Sequence, residues 1–273
     1  MRYLIECVCF RCRTMGKLFE DHGKRLKWFG GERVLDLGCG VGDVTRRIIL
    51  PLLPQNYGSL TCADASTHML CAAQKELEGV RNVEFLVMDI EVDLQVSLLG
   101  SFHKIFSTFC LMFMEDQRKV YENVWKLLAP GGECFIIILV TGTIFETGFH
   151  LAETPKWCEH LKHYRKTFVF PYREDPNPER TVINLLQSTG YSDVFVKKDN
   201  VFDVYPTVED LRDNIRAMPS FPNNMTQQDK EDLLEDQVKF GLTLNSVQEC
   251  LDESKPIEPR RVTLTIHARK PLN

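Results

Sequence analysis

A doubly wound α/β fold with a mostly parallel sheet follows from three features of the sequence. Apolar runs of strand length alternate with longer segments of helical spacing from Arg33 to Leu139. Those runs are nearly continuous rather than alternating in polarity, as in strands covered on both faces. The first run passes directly into a glycine-rich turn and then a helix, the place where such sheets bind ligands.

The predicted strands of this core are Arg33 to Leu37, Ser59 to Ala63, Asn82 to Met88, His103 to Thr108 and Glu133 to Leu139. Between them, helical spacing predicts Asp43 to Leu53, Ser66 to Glu78, a short piece near Glu91 to Leu99, and Glu115 to Leu128. Pro51 and Pro54 close the first crossover helix, and Ser66 is placed to cap the second. Pro130-Gly131-Gly132 stops the fourth and turns the chain into the fifth strand. Beyond Val140 the texture changes. Thr141 to Lys166 is mixed and aromatic, Phe168 to Arg173 reads as a short extended piece, and Asn177 to Thr189 as a helix. A strand from Tyr191 to Lys198, helices over Thr207 to Met218 and Thr226 to Leu242, and an alternating strand from Arg261 to Ala268 complete the chain. Alternation suits a strand with a more solvated face, as an antiparallel one has. Residues 1–30 are read as an amino-terminal helical segment, 31–140 as the binding core, and 141–273 as insertions roofing the site plus the last two strands, all in one domain.

Composition narrows the function. The chain has 273 residues, 44% of them hydrophobic and 26% charged, an ordinary globular balance. With 33 Lys+Arg against 38 Asp+Glu the net charge is −5, so no global positive field invites nucleic acid. The ten cysteines are scattered, several in apolar runs, and read as buried thiols of a reducing, cytoplasmic compartment. No stretch approaches the ~20 apolar residues of a membrane span. Metal readings are weak: Cys9 and Cys12 have no second close pair, and Cys158, His160 and His163 lie on a basic amphipathic stretch. No metal is expected.

The informative segment is Val34-Leu35-Asp36-Leu37-Gly38-Cys39-Gly40-Val41-Gly42-Asp43. Its Gly-x-Gly-x-Gly spacing lets the backbone approach a ligand. A dinucleotide fingerprint would need a third Gly at 43, where Asp43 stands, and a carboxylate there suits a pyrophosphate badly. The turn therefore fits a nucleoside ligand lacking a pyrophosphate and disfavours a nicotinamide-dependent oxidoreductase. Asp64 ends the second strand 26 residues after Gly38, where a carboxylate can accept both ribose hydroxyls. Met88-Asp89-Ile90 ends the third, with an acceptor for an exocyclic amine beside an apolar residue able to lie on a purine.

These residues, with Leu127-Leu128-Ala129-Pro130-Gly131-Gly132 before the fifth strand, resemble class I S-adenosylmethionine-dependent methyltransferases over about residues 30 to 140. The resemblance implies a seven-stranded, Rossmann-like sheet whose last strand is antiparallel, and S-adenosyl-L-methionine as cofactor. It implies that the turn of Asp36, Gly38, Cys39, Gly40 and Gly42 faces the methionine part, Asp64 the ribose, and Asp89 the adenine amine. Ala65, Met69, Ile90 and Ser107 join this cofactor set. Phe106 to Phe113, Thr143-Ile144-Phe145, Pro155-Lys156-Trp157, Phe170-Pro171-Tyr172 and Ser220 to Met225 further resemble the juvenile hormone acid methyltransferases, arthropod carboxyl methyltransferases. That resemblance implies O-methylation of a small apolar carboxylic acid, with transfer to another small oxygen or nitrogen nucleophile, or cofactor binding with little turnover, as alternatives.

Enzymes of that kind hold the substrate carboxylate with a Trp after the fourth strand and a Gln near the amino terminus. Here the Trp position is similar to Phe113, and Met1 to Arg13 contains no Gln. Trp157 is the candidate replacement donor, with Phe113 and Met112 as further substrate contacts. Leu111 to Met114 and the aromatics Phe145, Phe149, Trp157, Phe168 and Phe170 are available to line an apolar pocket, although each is equally suited to a core. Such a transfer calls for positioning rather than a general base, because the acid is already ionised at neutral pH.

Overall fold

The strands form where the apolar runs predict them. The computed structural model describes residues 10–216, 225–244 and 256–272, with side chains from Met15 onward. The thiols of Cys7, Cys9, Cys12 and Cys250, and the Ser220 to Asn224 segment, lie outside the described side chains. After α1 (Phe10–His22) come β1 (Arg33–Leu37), β2 (Ser59–Asp64), β3 (Val83–Val87), β4 (Phe102–Thr108) and β5 (Leu128–Gly142). Then follow β6 (Ser192–Phe202) and β7 (Arg260–Arg269). Four of the five residues of β1 and the middle four of β2 are buried, as a sheet covered on both faces requires.

The seven strands lie in the order β3-β2-β1-β4-β5-β7-β6. β1 pairs in parallel with both β2 and β4, β2 with β3, and β4 with β5. β7 runs the other way: Gly131 N–H, early in β5, donates to Lys270 O just past the end of β7, and Lys270 N–H returns to Gly132 O. The chain order reverses between β1 and β4, and in doubly wound sheets the crevice outside the carboxyl ends at that point is the binding place.

The connecting helices start at polar caps. Ser66 Oγ accepts from Met69 N–H at 3.3 Å to open α3 (Thr67–Glu76), and Asp116 Oδ1 accepts from Lys119 N–H at 3.0 Å to open α4 (Gln117–Leu127). α7 (Pro178–Thr189) begins on Asn177 with Pro178 in its first turn and ends at Gly190, φ +104°. The predicted first crossover helix is a π-helical segment, Thr45–Ile49, running into the one-turn α2 (Leu50–Leu52) with Pro51 inside it. The piece near Glu91 to Leu99 is reduced to a single 3-10 turn, Val96–Leu98. Pro130-Gly131-Gly132 does not precede β5 but lies within its first residues.

The chain divides into two compact units. The first is residues 1–138, 174–199 and 263–273; the second is residues 139–173 and 200–262. The last two strands do complete the same sheet, as expected. The second unit carries α5 (Thr143–Leu151), α6 (Tyr164–Thr167), α8 (Val208–Arg216) and α9 (Gln227–Leu244). Phe168 to Arg173 is not an extended strand: residues 168–170 are irregular and a turn begins at Pro171, with the rings drawn into a cluster. Phe145 meets Phe170 edge-on at 4.8 Å, and Phe149 meets Tyr164 edge-on at 5.2 Å. Arg173 covers Phe149 at 4.3 Å and pairs with Glu146 at 2.7 Å.

One buried charge cluster ties the first unit together at the amino ends of β4 and β5. Lys104 Nζ on β4 and His267 Nε2 on β7 each lie 2.7 Å from Glu133 on β5, and Lys27 N–H donates to it at 3.0 Å. Burial pushes the Glu133 carboxyl up, but hydrogen bonds from His267, Lys104 and Lys27 outweigh that and hold it at about 2.

Candidate active site at the carboxyl ends of the strands

Asp36 is the last buried carboxylate of β1 before the turn, 1% exposed, and its Oδ2 accepts from the Thr45 hydroxyl. That bond ties the strand to the helix beyond the turn. The turn itself is locked to β2: Gly38 and Cys39 N–H groups both donate to Ala63 O, at 2.8 and 3.0 Å, and Gly42 N–H returns to Cys39 O at 3.0 Å. Gly38 has φ +74°, and a Cβ there would fall 2.2 Å from Cys110 Sγ. Only glycine meets both demands. Gly40, φ +57°, has no atom within 4 Å of its would-be Cβ, so the turn presents bare backbone to open space.

Asp64 joins this turn directly. Its Oδ2 accepts from Gly40 N–H at 3.0 Å, and its Oδ1 from Ser66 N–H at 2.9 Å. Each carboxylate oxygen has a second lone pair left for a ligand. Ala65 and Met69, both exposed, follow on the same edge. Met88 N–H donates to Asp64 O at 3.1 Å, which carries the end of β3 alongside. Asp89 is exposed and its Oδ1 accepts from Glu91 N–H at 2.9 Å, while Ile90 is buried. The structure therefore gathers Asp36, Gly38, Cys39, Gly40, Gly42, Asp64, Ala65, Met69, Asp89 and Ile90 on one edge.

Ser107 stands apart from that group. It is fully buried and its hydroxyl donates to Leu37 O at 2.8 Å, so its side chain fastens β4 to β1 beneath the turn. Of the substrate-side residues, Phe113 is 37% exposed, whereas Met112 is 3% exposed and turned inward. Trp157 is buried in the second unit and donates its indole N–H to Asp236 Oδ2 at 2.9 Å. Its donor is thus committed within the protein.

Three residues escaped the sequence reading. Asn123 donates to Ile90 O at 2.8 Å and Val92 O at 3.2 Å, which fixes the loop after β3. Gln117 donates to Leu111 O and Met114 O, both at 2.8 Å, bracing the turn that carries Phe113. Both are buried amides on the apolar face of α4, among Val120, Val124 and Leu127, and that misplaced polarity is the signal that marks them. The third, Cys110, packs on Gly38.

The electrostatics of the edge are acidic. Burial, and then Asp64, Asp36, Asp89 and Glu91, push the Cys110 thiol up to about 12. A hydrogen bond with Cys62 and burial raise that of Cys39. Neither thiol is a nucleophile at neutral pH. The same carboxylates repel a pyrophosphate and favour a ligand carrying positive charge, such as an adenosyl sulfonium with its free amino group. The open backbone at Gly40 and the spare lone pairs of Asp64 leave room for it.

Residues 34–132 match the family model described as a methyltransferase domain. Over 258 residues the chain is 32% identical to juvenile hormone acid O-methyltransferase of Bombyx mori, covering 93% of this chain and 91% of that protein. To the protein of the same name from Drosophila melanogaster it is 27% identical, over 93% of this chain and 86% of that one. Phosphoethanolamine N-methyltransferase 2 of Haemonchus contortus, solved in complex with S-adenosyl-L-methionine, shares the fold with a TM-score of 0.55 at 19% identity, over 93% of this chain and 52% of that one. With identity sustained along nearly the whole of both chains, and a glycine turn and strand-end carboxylates that suit the cofactor, the chain belongs to the S-adenosylmethionine-dependent methyltransferases, in the family of the juvenile hormone acid O-methyltransferases.

Proposed function

We propose that the protein transfers the methyl group of S-adenosylmethionine to the carboxylate of a small, apolar acid of the juvenile hormone acid type, releasing the methyl ester and S-adenosylhomocysteine. The observation that carries this reading is the 32% identity to the Bombyx mori enzyme, which extends far beyond the methyltransferase domain. The bound cofactor supplies a sulfonium-activated methyl group. Asp64 accepts the ribose hydroxyls, the Gly38 to Gly42 backbone carries the methionine end, and Asp89 with Ile90 takes the adenine. Ser107 and Thr45 act indirectly, by holding the strand and the helix that shape this edge.

No general base is needed, since a carboxylic acid of pKa about 4 to 5 is ionised at neutral pH. The protein's task is alignment, which for well-oriented groups contributes about 7 to 11 kcal/mol, and exclusion of water from the nucleophile. Phe113, exposed on the turn braced by Gln117, is the substrate contact of this edge. A cytoplasmic site of action agrees with the six described cysteines, all of them free, and no helix among the described residues is long and apolar enough to cross a membrane.

Phe113 offers no hydrogen-bond donor, and this favours a second reading in which the nucleophile is another small-molecule oxygen or nitrogen. Incubation with cofactor and a panel of apolar acids, phenols and amines, with products read by mass, separates the two. Methyl ester from the acids alone supports the proposal; methylated phenol or amine without ester overturns it. Trp157→Phe provides a narrower check. The melting temperature is expected to fall by several degrees, because a buried bond to a carboxylate contributes about 1.5–3 kcal/mol. The KM for the acid is expected to stay within about twofold, and a rise of tenfold or more would restore Trp157 as a substrate donor.

A further inference from the structure

Between β3 and β4 the described chain has a single 3-10 turn, Val96–Leu98, where parallel strands are usually joined by a full crossover helix. The segment is also shallow. Ile90 is 2% exposed, but Glu91, Val92, Asp93, Gln95 and Val96 lie at the surface. Yet it carries Asp89 and Ile90, the proposed adenine contacts. Among the described residues, two hydrogen bonds join residues 89–95 to another element, and both come from Asn123 on α4: Nδ2 donates to Ile90 O at 2.8 Å and to Val92 O at 3.2 Å.

Both Nδ2 hydrogens go to these carbonyls, and Oδ1 accepts from Lys126 Nζ at 3.2 Å, so the partners of the amide define its orientation. Asn123 is 2% exposed, among Val120, Val124 and Leu127, where an amide costs more to bury than an apolar side chain. The two carbonyls flank Glu91, whose N–H donates to Asp89 Oδ1 at 2.9 Å. Holding both sides of that turn fixes the Asp89 carboxylate itself and leaves Oδ2 as the acceptor for an amine. Precision of this kind comes from behind: a binding group has to be held within about 0.5 Å of its productive place by the residues that support it.

We propose that Asn123 is the positioning residue for adenine recognition: by clamping the carbonyls of Ile90 and Val92, it holds Asp89 where it reads the exocyclic amine of the adenosyl group. The inference rests on the assignment of Asp89 and Ile90 to the adenine. Without the clamp, both carbonyls regain hydration by lifting the segment away from α4, and the carboxylate leaves the amine. The consequence is lost discrimination. The ligand is still held through Asp64 and the glycine turn, but an analogue lacking the amine is no longer disfavoured.

The test is calorimetric titration of the full chain with S-adenosylhomocysteine and with S-inosylhomocysteine, which carries a carbonyl in place of the amine. The wild type is expected to favour the adenosyl ligand about 30-fold, as for one hydrogen bond to a charged acceptor. Asn123→Leu keeps the bulk and removes the donors, and the ratio is expected to fall to about threefold. Tyr191→Phe is the control, because it removes another buried bond to α4, from the Tyr191 hydroxyl to Tyr121 O at 2.8 Å, and leaves the segment after β3 untouched. Its ratio is expected to stay within twofold of wild type. A fall smaller than threefold in Asn123→Leu, or an equal fall in Tyr191→Phe, overturns the proposal. Should Asn123→Leu fail to fold, Asn123→Ala, which adds no bulk to the helix, decides by the same ratio. Asp89→Ala separates the two levels of the argument. If it abolishes the preference while Asn123→Leu keeps it, the clamp alone is wrong; if it leaves the preference intact, or the wild type shows none, the adenine assignment fails and the proposal with it.

Discussion

Asp64→Asn is expected to weaken S-adenosylmethionine binding about 100-fold while the chain stays folded. Asp64 touches both the glycine turn, through Gly40 N–H, and the start of α3, through Ser66 N–H. Its remaining lone pairs are what a pair of ribose hydroxyls requires. The amide keeps the shape but replaces one acceptor oxygen with a donor NH₂, which then opposes either a backbone N–H or a hydroxyl. Hydrogen bonds to a charged acceptor contribute about 1.5–3 kcal/mol each, so losing the charge and one lone-pair set costs about 3 kcal/mol, or 100-fold in Kd. Calorimetry reads the affinity and the melting temperature reads the fold. Affinity within threefold of wild type would remove Asp64 from the ribose.

Glu133→Gln is expected to lower the melting temperature by about 10 °C. Lys104, 4% exposed, and His267, 7% exposed, both rely on this carboxylate. Removing one partner of a buried ion pair leaves an uncompensated charge and costs about 3–5 kcal/mol, and in a chain of this size each kcal/mol is worth about 2–4 °C. The same group makes wild-type stability acid-sensitive. Its folded pKa of about 2 lies below the ordinary 4.5, so the folded state holds the carboxylate ionised where the unfolded chain would protonate it. Its contribution is complete above pH 4.5 and is lost as the pH falls toward 2. Denaturant melts at pH 6 and pH 3 should show a smaller loss of stability for the variant than for wild type. Equal losses would place the acid sensitivity elsewhere.

The parts of the fold that were legible in the sequence are those set by local chemistry. Continuous apolar runs mark β1, β2 and β4 because both faces are covered, and Ser66 marks the start of α3 because a cap acts over three residues. Gly38, Gly40 and Gly42 stand out because all three have positive φ, which disfavours other residues. What stayed hidden depends on partners distant in the chain. The indole of Trp157 is taken by Asp236, 79 residues away, and the hydroxyl of Ser107 by Leu37, 70 residues away. Phe168 and Phe170 look like strand residues by propensity, yet they turn to meet Phe145. The division into two units likewise arises from contacts between segments that the chain visits, leaves and revisits.

The central claim is that the turn after β1 and the ends of β2 and β3 form a site for an adenosyl sulfonium. Calorimetric titration of the full chain with S-adenosylmethionine and S-adenosylhomocysteine, with NAD as the contrasting ligand, tests it most directly. The account predicts one-to-one, micromolar-range binding of the first two, weakened about 100-fold in Asp64→Asn, and no heat from NAD. Binding of NAD in place of the adenosyl ligands, or heat from neither, would contradict it.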